Sequence, residues 1–113
     1  MKLELNRKEE MTGLIFKKPR YVLDVNLEVS PEEMQLIKKH QWDKVIMAKG
    51  TMATGVEIDW TVGNMARKNS YPFKHIEDLA DFEAQVIESA KKLKRNIEAA
   101  SGFTKGGPRE VEL

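Results

Sequence analysis

The sequence contains no cysteine. A chain without thiols forms no disulfide, binds no zinc through thiolates and offers no cysteine nucleophile. It also lacks any apolar run of about 18 residues, the length that a membrane-spanning helix requires. The residues after Met1 alternate between charged and apolar side chains and have no apolar centre of the signal-peptide kind. We therefore expect a cytoplasmic protein that starts at its own Met1 and has no membrane contact.

An excess of charge of either sign is absent as well. The chain has 19 Lys and Arg residues against 18 Asp and Glu residues, a formal net charge of +1. This balance gives no general attraction to nucleic acid or to an anionic membrane. Its 113 residues, 41% of them hydrophobic, suit one domain with a modest core. We expect a single domain over residues 1–103, followed by a flexible tail over 104–113.

The longest periodic segment runs from His75 to Ala100. On a helical wheel its apolar residues fall within one stripe, while the opposite side is charged. The stripe consists of Ile76, Leu79, Ala80, Phe82, Val86, Ile87, Ala90, Leu93 and Ile97. Acidic residues dominate the first half and basic residues the second, in accord with the helix dipole. The pattern predicts a long helix over about 75–100 that must lie on an apolar sheet.

Alternation of apolar and polar residues predicts strands elsewhere in the chain. It is clearest from residue 21 to 29 and recurs in residues 2–7 and 56–62, while the continuous apolar run 45–48 is typical of a covered strand. Residues 7–13 are polar and close on a glycine, so they are interpreted as a connection. Whether the apolar triplet Leu14–Phe16 forms a further strand is left open.

The segment from Ser30 to Glu33 carries the start signal of a helix. Ser30 can cap the first turn, Pro31 suits the first helical position, and Glu33 can complete a capping box. A short helix is predicted over about 31–40, and residues 64–73 are expected to be irregular. The order ββαββα predicts an α+β two-layer sandwich, in which both helices cover one face of a mainly antiparallel sheet of four or five strands.

No set of nucleophile, base and orienting group is visible, so the sequence favours a protein that is not an enzyme and that needs no cofactor. Asp24 and Asp59 occupy similar positions in two predicted strands. If those strands were neighbours, the two carboxylates could hold a divalent metal or divide acid and base roles. The simpler interpretation places both on the solvated face of the sheet.

Basic residues form two candidate nucleic-acid contacts. Lys17, Lys18 and Arg20 lie between the first two predicted strands, and Lys91, Lys92 and Arg95 project from the charged side of the long helix. Sheets that bind nucleic acid place aromatic residues on their open face, whereas the aromatic residues here fall on the inner face. Nucleic-acid binding is kept as an alternative that the pattern does not favour.

Apolar residues outside the predicted core indicate a protein contact. Val22, Ile46 and Ala48 fall on the outer sheet face, and Met52 lies in a connection where a flexible apolar side chain suits an adaptable surface. Unpaired edge strands would provide a second kind of contact. We therefore expect a small protein-interaction module that self-associates, for example as a homodimer, or binds a protein partner through the open sheet face or an edge strand.

Overall fold

The structure is a computed structural model that describes residues 1–13, 15, 17–66 and 69–105. It has an α+β fold, as predicted. The strands are β1 (Lys2–Thr12), β2 (Lys18–Glu28), β3 (Ala48–Thr51), β4 (Glu57–Trp60) and β5 (Ser70–Phe73). The helices are α1 (Pro31–Lys39) and α2 (Ile76–Lys105), with 3-10 turns at Trp42–Lys44 and Val62–Ala66. Of the predicted tail, residues 106–113 lie outside the described residues.

The strands divide between two sheets. One sheet has the order β1-β2-β5 and the other pairs β3 with β4, and all pairings are antiparallel. A single sheet of four or five strands is therefore not confirmed. The difference arises because β5 forms within a segment expected to be irregular and occupies the edge of β2, with Tyr21 opposite Phe73.

Helix α1 begins as the sequence predicts. The Ser30 side chain accepts a hydrogen bond from the Glu33 backbone N–H at 3.1 Å, and the Glu33 carboxylate accepts one from the Ser30 N–H at 2.9 Å. Pro31 occupies the first turn. This reciprocal capping box satisfies amides that a helix start otherwise leaves unpaired. The backbone hydrogen bond from Ser30 is also the main cause that lowers the pKa of Glu33.

The apolar stripe of α2 is buried along its centre. Leu79, Phe82, Val86, Ala90, Leu93 and Ile97 are each at most 5% exposed. Ile76, at the start of the helix, is 49% exposed because it lies beyond the edge of the core. The helix continues past residue 100 to Lys105. These six members of the predicted stripe are thus buried, whereas Ile87 is half-buried and Ala80, like Ile76, is exposed.

A single apolar cluster joins both sheets to α2. It includes Leu23, Val25 and Leu27 from β2, Tyr71 and Phe73 from β5, Ile58 and Trp60 from β4, and Ala48 from β3. The Phe82 ring lies 5.3 Å from that of Tyr71 and 5.4 Å from that of Phe73. Burial raises the pKa of Tyr71 to about 12. The two sheets therefore share one core.

Gly50 in β3 permits the close approach of α2. A Cβ atom at this position would lie 3.2 Å from the Phe82 ring and 3.3 Å from the Phe73 ring. These separations are tighter than ordinary van der Waals contact, so a side chain there would push the aromatic rings away. Glycine at this position thus follows from helix packing rather than from a turn.

The largest differences from the expected strand boundaries lie in β3 and β1. Strand β3 starts at Ala48, whereas Val45 and Ile46 precede it and are 53% and 45% exposed. Strand β1 continues through the polar residues to Thr12, because its backbone pairs with β2 along the whole length. Ladder hydrogen bonds join main-chain groups and do not require apolar side chains. In the triplet Leu14–Phe16, residues 14 and 16 lie outside the described residues.

Truncation of the α2 stripe tests the shared core. We expect Val86→Ala or Leu93→Ala to lower the free energy of unfolding by roughly 2–4 kcal/mol, because each leaves a cavity in a packed interior. Lys91→Ala, on the exposed side of the same helix, is the matched control and is expected to change it by under about 0.5 kcal/mol. Urea unfolding followed by circular dichroism measures both. A core variant that matches the control would show that the stripe is not buried.

Candidate functional site

The β1–β2 hairpin is the longest strand pair in the described part of the chain. Its strands are 11 residues each and pair from Lys2 opposite Glu28 to Thr12 opposite Lys18. The half near Lys2 packs Leu3 and Leu5 against the core, whereas the exposed residues from Lys8 to Met11 carry the hairpin beyond it. The hairpin therefore projects as an arm with one strand, β1, at the edge of the sheet.

The direction of the main-chain groups in β1 follows from one contact in β2. The Val25 N–H donates to the Asn69 carbonyl oxygen at 2.7 Å, on the β5 side of the sheet. Along a strand these groups alternate in direction, so those of Asp24 point to β1 and form a hydrogen-bonded pair with the opposite residue, Asn6. The even-numbered residues of β1 therefore face β2. The odd-numbered ones, Leu3, Leu5, Arg7, Glu9 and Met11, direct their N–H and carbonyl groups to the open edge.

Side chains bond one residue at each edge of the smaller sheet. The Gln85 amide of α2 accepts from the Lys49 N–H at 3.0 Å and donates to the Lys49 carbonyl at 2.9 Å, in the manner of a neighbouring strand. On the other side of this sheet the Asn64 amide donates to the Asp59 carbonyl at 2.6 Å. Polar side chains thus satisfy main-chain groups at both edges of the β3–β4 pair.

The open edge of β1 has no such closure within the described residues. No other strand pairs with it there, and no side chain or loop bonds its outward N–H and carbonyl groups. The strand contains no proline, which would interrupt an incoming ladder. A long edge with unpaired groups is a template for a further strand. This edge is the strongest candidate functional site in the described structure.

The outer face of the arm is polar and centres on Asp24. Its Oδ1 accepts from the Ser70 hydroxyl at 2.6 Å, and its Oδ2 lies 3.4 Å from the Lys8 ammonium group. The Ser70 hydrogen bond, followed by the Lys8 interaction, holds the pKa of Asp24 below its ordinary value against the opposing effect of burial. A shallow depression of about 520 Å³ that Asn6 and Asn26 also line lies here. The carboxylate is therefore already engaged by neighbours in its own sheet.

The inner face of the arm is fixed to α2 by an ion pair. The Arg7 guanidinium donates to both carboxylate oxygens of Glu83, at 3.0 Å from Nε and 2.5 Å from Nη2. Such bidentate pairs set geometry as well as attraction. Beyond this contact, Met11 is 56% exposed and Ile15 is 86% exposed. The arm is thus held at its middle, and its distal part is exposed.

A second depression lies beside the second half of α2. It measures about 320 Å³ and is bordered by Trp42, Val45 and Ile46 on one side and by Ser89 and Lys92 on the other. The Ser89 hydroxyl donates to the Met47 carbonyl at 2.5 Å and joins the two walls. This groove is partly apolar.

The four predicted interface residues do not form one surface. Val22 is 4% exposed between Lys8 and Pro72 of the neighbouring strands, and Ala48 is 2% exposed in the core. Ile46 is exposed beside the groove, and Met52 packs partly against the core. Only Ile46 of the four offers a large exposed apolar surface, because folding covers the others.

The two basic groups are not brought together. Lys17 and Lys18 are exposed and Arg20 is half-buried near the tip of the arm, where the next residue, Tyr21, borders a cavity with Leu79 of α2. Lys91, Lys92 and Arg95 are exposed on α2. Lys91 lies twelve residues beyond Leu79, about 18 Å along the helix axis from the residue that Tyr21 approaches. The two groups form no common basic surface.

The two predicted metal ligands also lie apart. Asp24 belongs to β2 and Asp59 to β4, in separate sheets. Among the residues that the structure describes, no group of three or more His, Asp or Glu side chains is arranged to hold a metal ion. Within the same residues, no helix has the length and apolar character needed to cross a membrane.

Comparison with family models, with curated proteins and with solved structures found no match to this chain. The geometry of the described residues is therefore the basis for assigning a function. The open edge of β1 is a stronger candidate binding surface than the outer face of the sheet, because that face is polar and the carboxylate of Asp24 at its centre is paired.

Sequence reasoning gave edge strands as one candidate but did not identify which edge. Residues 7–12 were expected to form a connection because they contain no apolar alternation. No local signal reveals the longer strand, because residues 7–12 join it through main-chain pairing with residues 18–23 of β2. Which edge stays open depends on the pairing of β5, which no local pattern predicts.

Removal of the Ser70 hydroxyl tests the Asp24 contact. A lowered pKa in the folded state stabilises the fold above the ordinary carboxyl pKa, and that stabilisation is lost as the pH falls through the lowered value. We expect Ser70→Ala to raise the pKa of Asp24 and to cost about 1 kcal/mol at neutral pH, with the difference vanishing in acid. Ser70→Thr keeps a hydroxyl and is the control. An unchanged pKa of Asp24 in Ser70→Ala, followed by NMR titration, would contradict the contact.

Amide exchange tests the direction of the β1 groups. At low protein concentration we expect slow hydrogen exchange at Glu4, Asn6 and Lys8, whose N–H groups bond to β2. Fast exchange is expected at the intervening Leu5 and Arg7, whose N–H groups face the open edge. Residue-resolved NMR measures the pattern. Uniform protection along β1 in the dilute protein would show that the chain itself covers the edge.

Proposed function

We propose that this chain is a small protein-interaction module that binds a β-strand of its partner along the open edge of β1. The observation that carries the proposal is the row of outward N–H and carbonyl groups from Leu3 to Met11, unpaired among the described residues. Addition of a strand to such an edge is an established mode of peptide and protein recognition, in which main-chain hydrogen bonds supply affinity.

Two further features support the edge over the other surfaces. Side chains of Gln85 and Asn64 bond one residue at the edge of β3 and one at the edge of β4, whereas no side chain among the described residues bonds the longer open edge of β1. The arm is also held in place by the bidentate Arg7–Glu83 pair. A strand that is already ordered loses less conformational entropy when it binds than a flexible one.

The alternatives have less support. A nucleic-acid contact would have to use two basic groups on separate elements, one near the tip of the arm and one on α2. A carboxylate site would have to use Asp24, which is engaged by Ser70 and Lys8. Neither arrangement presents a ready surface of the kind that the open edge provides.

A proline at an outward-facing position blocks the edge selectively. Glu9 is exposed, and its N–H faces away from β2, so Glu9→Pro removes an edge donor without breaking the β1–β2 ladder. Glu9→Ala removes the same side chain and keeps the donor, which makes it the matched control. Thermal melting of both variants verifies that the fold is retained.

Capture from the cells that make the protein compares three baits: the wild-type chain, Glu9→Ala and Glu9→Pro. We expect the wild-type and Glu9→Ala baits to capture the same proteins in equal amounts. The Glu9→Pro bait is expected to capture at least tenfold less of them. Further copies of this chain count among the captured proteins. The loss follows because an added strand would meet a missing donor and the bulk of the proline ring. Equal capture by all three baits would contradict edge binding.

A further inference from the structure

The charged residues of β1 are arranged in a pattern that complements itself. In an antiparallel pair of identical strands, the two-fold axis stands perpendicular to the sheet, so side chains on one face meet side chains on the same face. Alternative registers are therefore reached by sliding one strand past the other in steps of two residues. On the outer face the even-numbered residues of β1 meet the even-numbered residues of the second strand. In the charged part of the strand these are Lys2, Glu4, Asn6, Lys8 and Glu10.

One register places every charged residue of β1 on this face opposite a residue of opposite charge. These contacts would add to the ion pairs within each copy, Lys2 with Glu4 at 2.8 Å and Lys8 with Asp24 at 3.4 Å. When Asn6 lies opposite Asn6 of a second copy, Lys2 lies opposite Glu10 and Glu4 lies opposite Lys8. The two-fold axis repeats both pairs, so the pairing contains each of them twice. Opposite charges in directly facing positions stabilise a strand pair, and like charges there destabilise it.

The neighbouring registers are repulsive. A shift of one step in one direction places Lys2 opposite Lys8. A shift in the other direction places Glu4 opposite Glu10 and Arg7 opposite Arg7. The charged residues of β1 thus oppose pairing in the neighbouring registers and permit pairing in the register centred on Asn6.

The main-chain geometry supports the same alignment. The outward groups belong to the odd-numbered residues, so Leu3 with Glu9 and Leu5 with Arg7 form hydrogen-bonded pairs between copies. Counted from both copies, this gives about eight main-chain hydrogen bonds. The even-numbered residues then fall in non-hydrogen-bonded pairs, where Cα atoms approach to about 4.5 Å and side chains lie closest. The charge pairs therefore occupy the positions of strongest cross-strand interaction.

We propose that the strand bound at this edge is β1 of a second copy of the same chain, in an antiparallel two-fold pairing centred on Asn6. The proposal rests on the proposed function and names its partner. It joins the two three-stranded sheets into one continuous six-stranded sheet, with both α2 helices on the same side. The free edge of each copy becomes an interior ladder.

Charge reversal tests the pairing. Two single variants are made, Lys2→Glu and Glu10→Lys. In a homodimer of either variant, residues of like charge lie opposite one another. Mixed one to one, the two variants restore both opposite-charge pairs. We expect sedimentation of the wild-type protein to rise from the chain mass in dilute solution to twice that mass at several hundred micromolar. Each variant alone is expected to associate about tenfold more weakly, and the mixture to recover the wild-type association.

The outcomes separate the proposal from its alternatives. A wild-type protein that stays monomeric throughout this range overturns it, and so does a mixture that associates no better than its components. Added salt weakens exposed ion pairs, so an association that is indifferent to salt and to both reversals also overturns the register. Thermal melting of each variant at low concentration separates weakened association from loss of the fold.

A disulfide between copies tests the register by a second route. The chain has no cysteine of its own, so an introduced thiol has no competitor. Asn6→Cys brings two thiols to facing positions at a Cα separation of about 4.5 Å, within the range that a disulfide bridges. Glu4→Cys is the control, because its two copies lie four residues apart along the strands, about 13 Å.

Mild oxidation is expected to convert Asn6→Cys into a covalent dimer and to leave Glu4→Cys monomeric. A mixture of Glu4→Cys with Lys8→Cys is expected to cross-link between the two kinds of chain. Efficient cross-linking of Glu4→Cys alone, or none in Asn6→Cys, overturns the register.

The failure of this inference differs from the failure of the proposed function. A monomeric wild-type chain that still loses a bound protein on Glu9→Pro, but not on Glu9→Ala, excludes the second copy and leaves edge binding in place. A monomeric chain whose capture is equal for all three baits excludes both.

Discussion

The burial of the α2 stripe is the interaction on which the rest of the structure depends. Neither the β1-β2-β5 sheet nor the β3–β4 pair is stable by itself, because small sheets need a layer packed against their apolar face. Phe82 reaches Tyr71 and Phe73 of one sheet and lies against Gly50 of the other. The helix therefore serves as the common surface of both sheets and fixes their mutual position.

Helix α2 also supplies side chains that bond main-chain groups at the edge of β3. Gln85 and Ser89 project from the helix toward β3 and neighbouring residues, and they bond the Lys49 and Met47 main-chain groups. On the other side of the molecule the helix meets the arm through Arg7 and Glu83, side chain to side chain. The contact orders the arm but leaves the main-chain groups of β1 unsatisfied among the described residues. An ordered edge with unpaired groups is a binding surface in its own right.

The charges of β1 explain how such an edge can be specific. Exposed ion pairs contribute little to stability, about 0.2–1 kcal/mol each, so their value lies in discrimination among alignments. Lys2 and Glu10 stand at equal distances on either side of Asn6, and so do Glu4 and Lys8 with opposite signs. A strand with this symmetry favours one antiparallel register with a copy of itself and disfavours those beside it. The Arg7 contact to Glu83 holds the inner face of the same strand in place.

The sequence by itself determined the elements whose signals are local. The capping box of Ser30 and Glu33, the buried centre of the α2 stripe and the alternating core of β2 could all be predicted, because each depends on residues within a few positions of one another. Only the tertiary structure divided the strands between two sheets, extended β1 through its polar half, separated Asp24 from Asp59 and buried Val22 and Ala48. These features depend on which distant main-chain segments pair. Main-chain hydrogen bonds form regardless of the side chains, so no side-chain pattern predicts that pairing. The open edge belongs to this second group, since it exists only because β5 pairs with β2 and nothing in the described chain pairs with β1 on its other side.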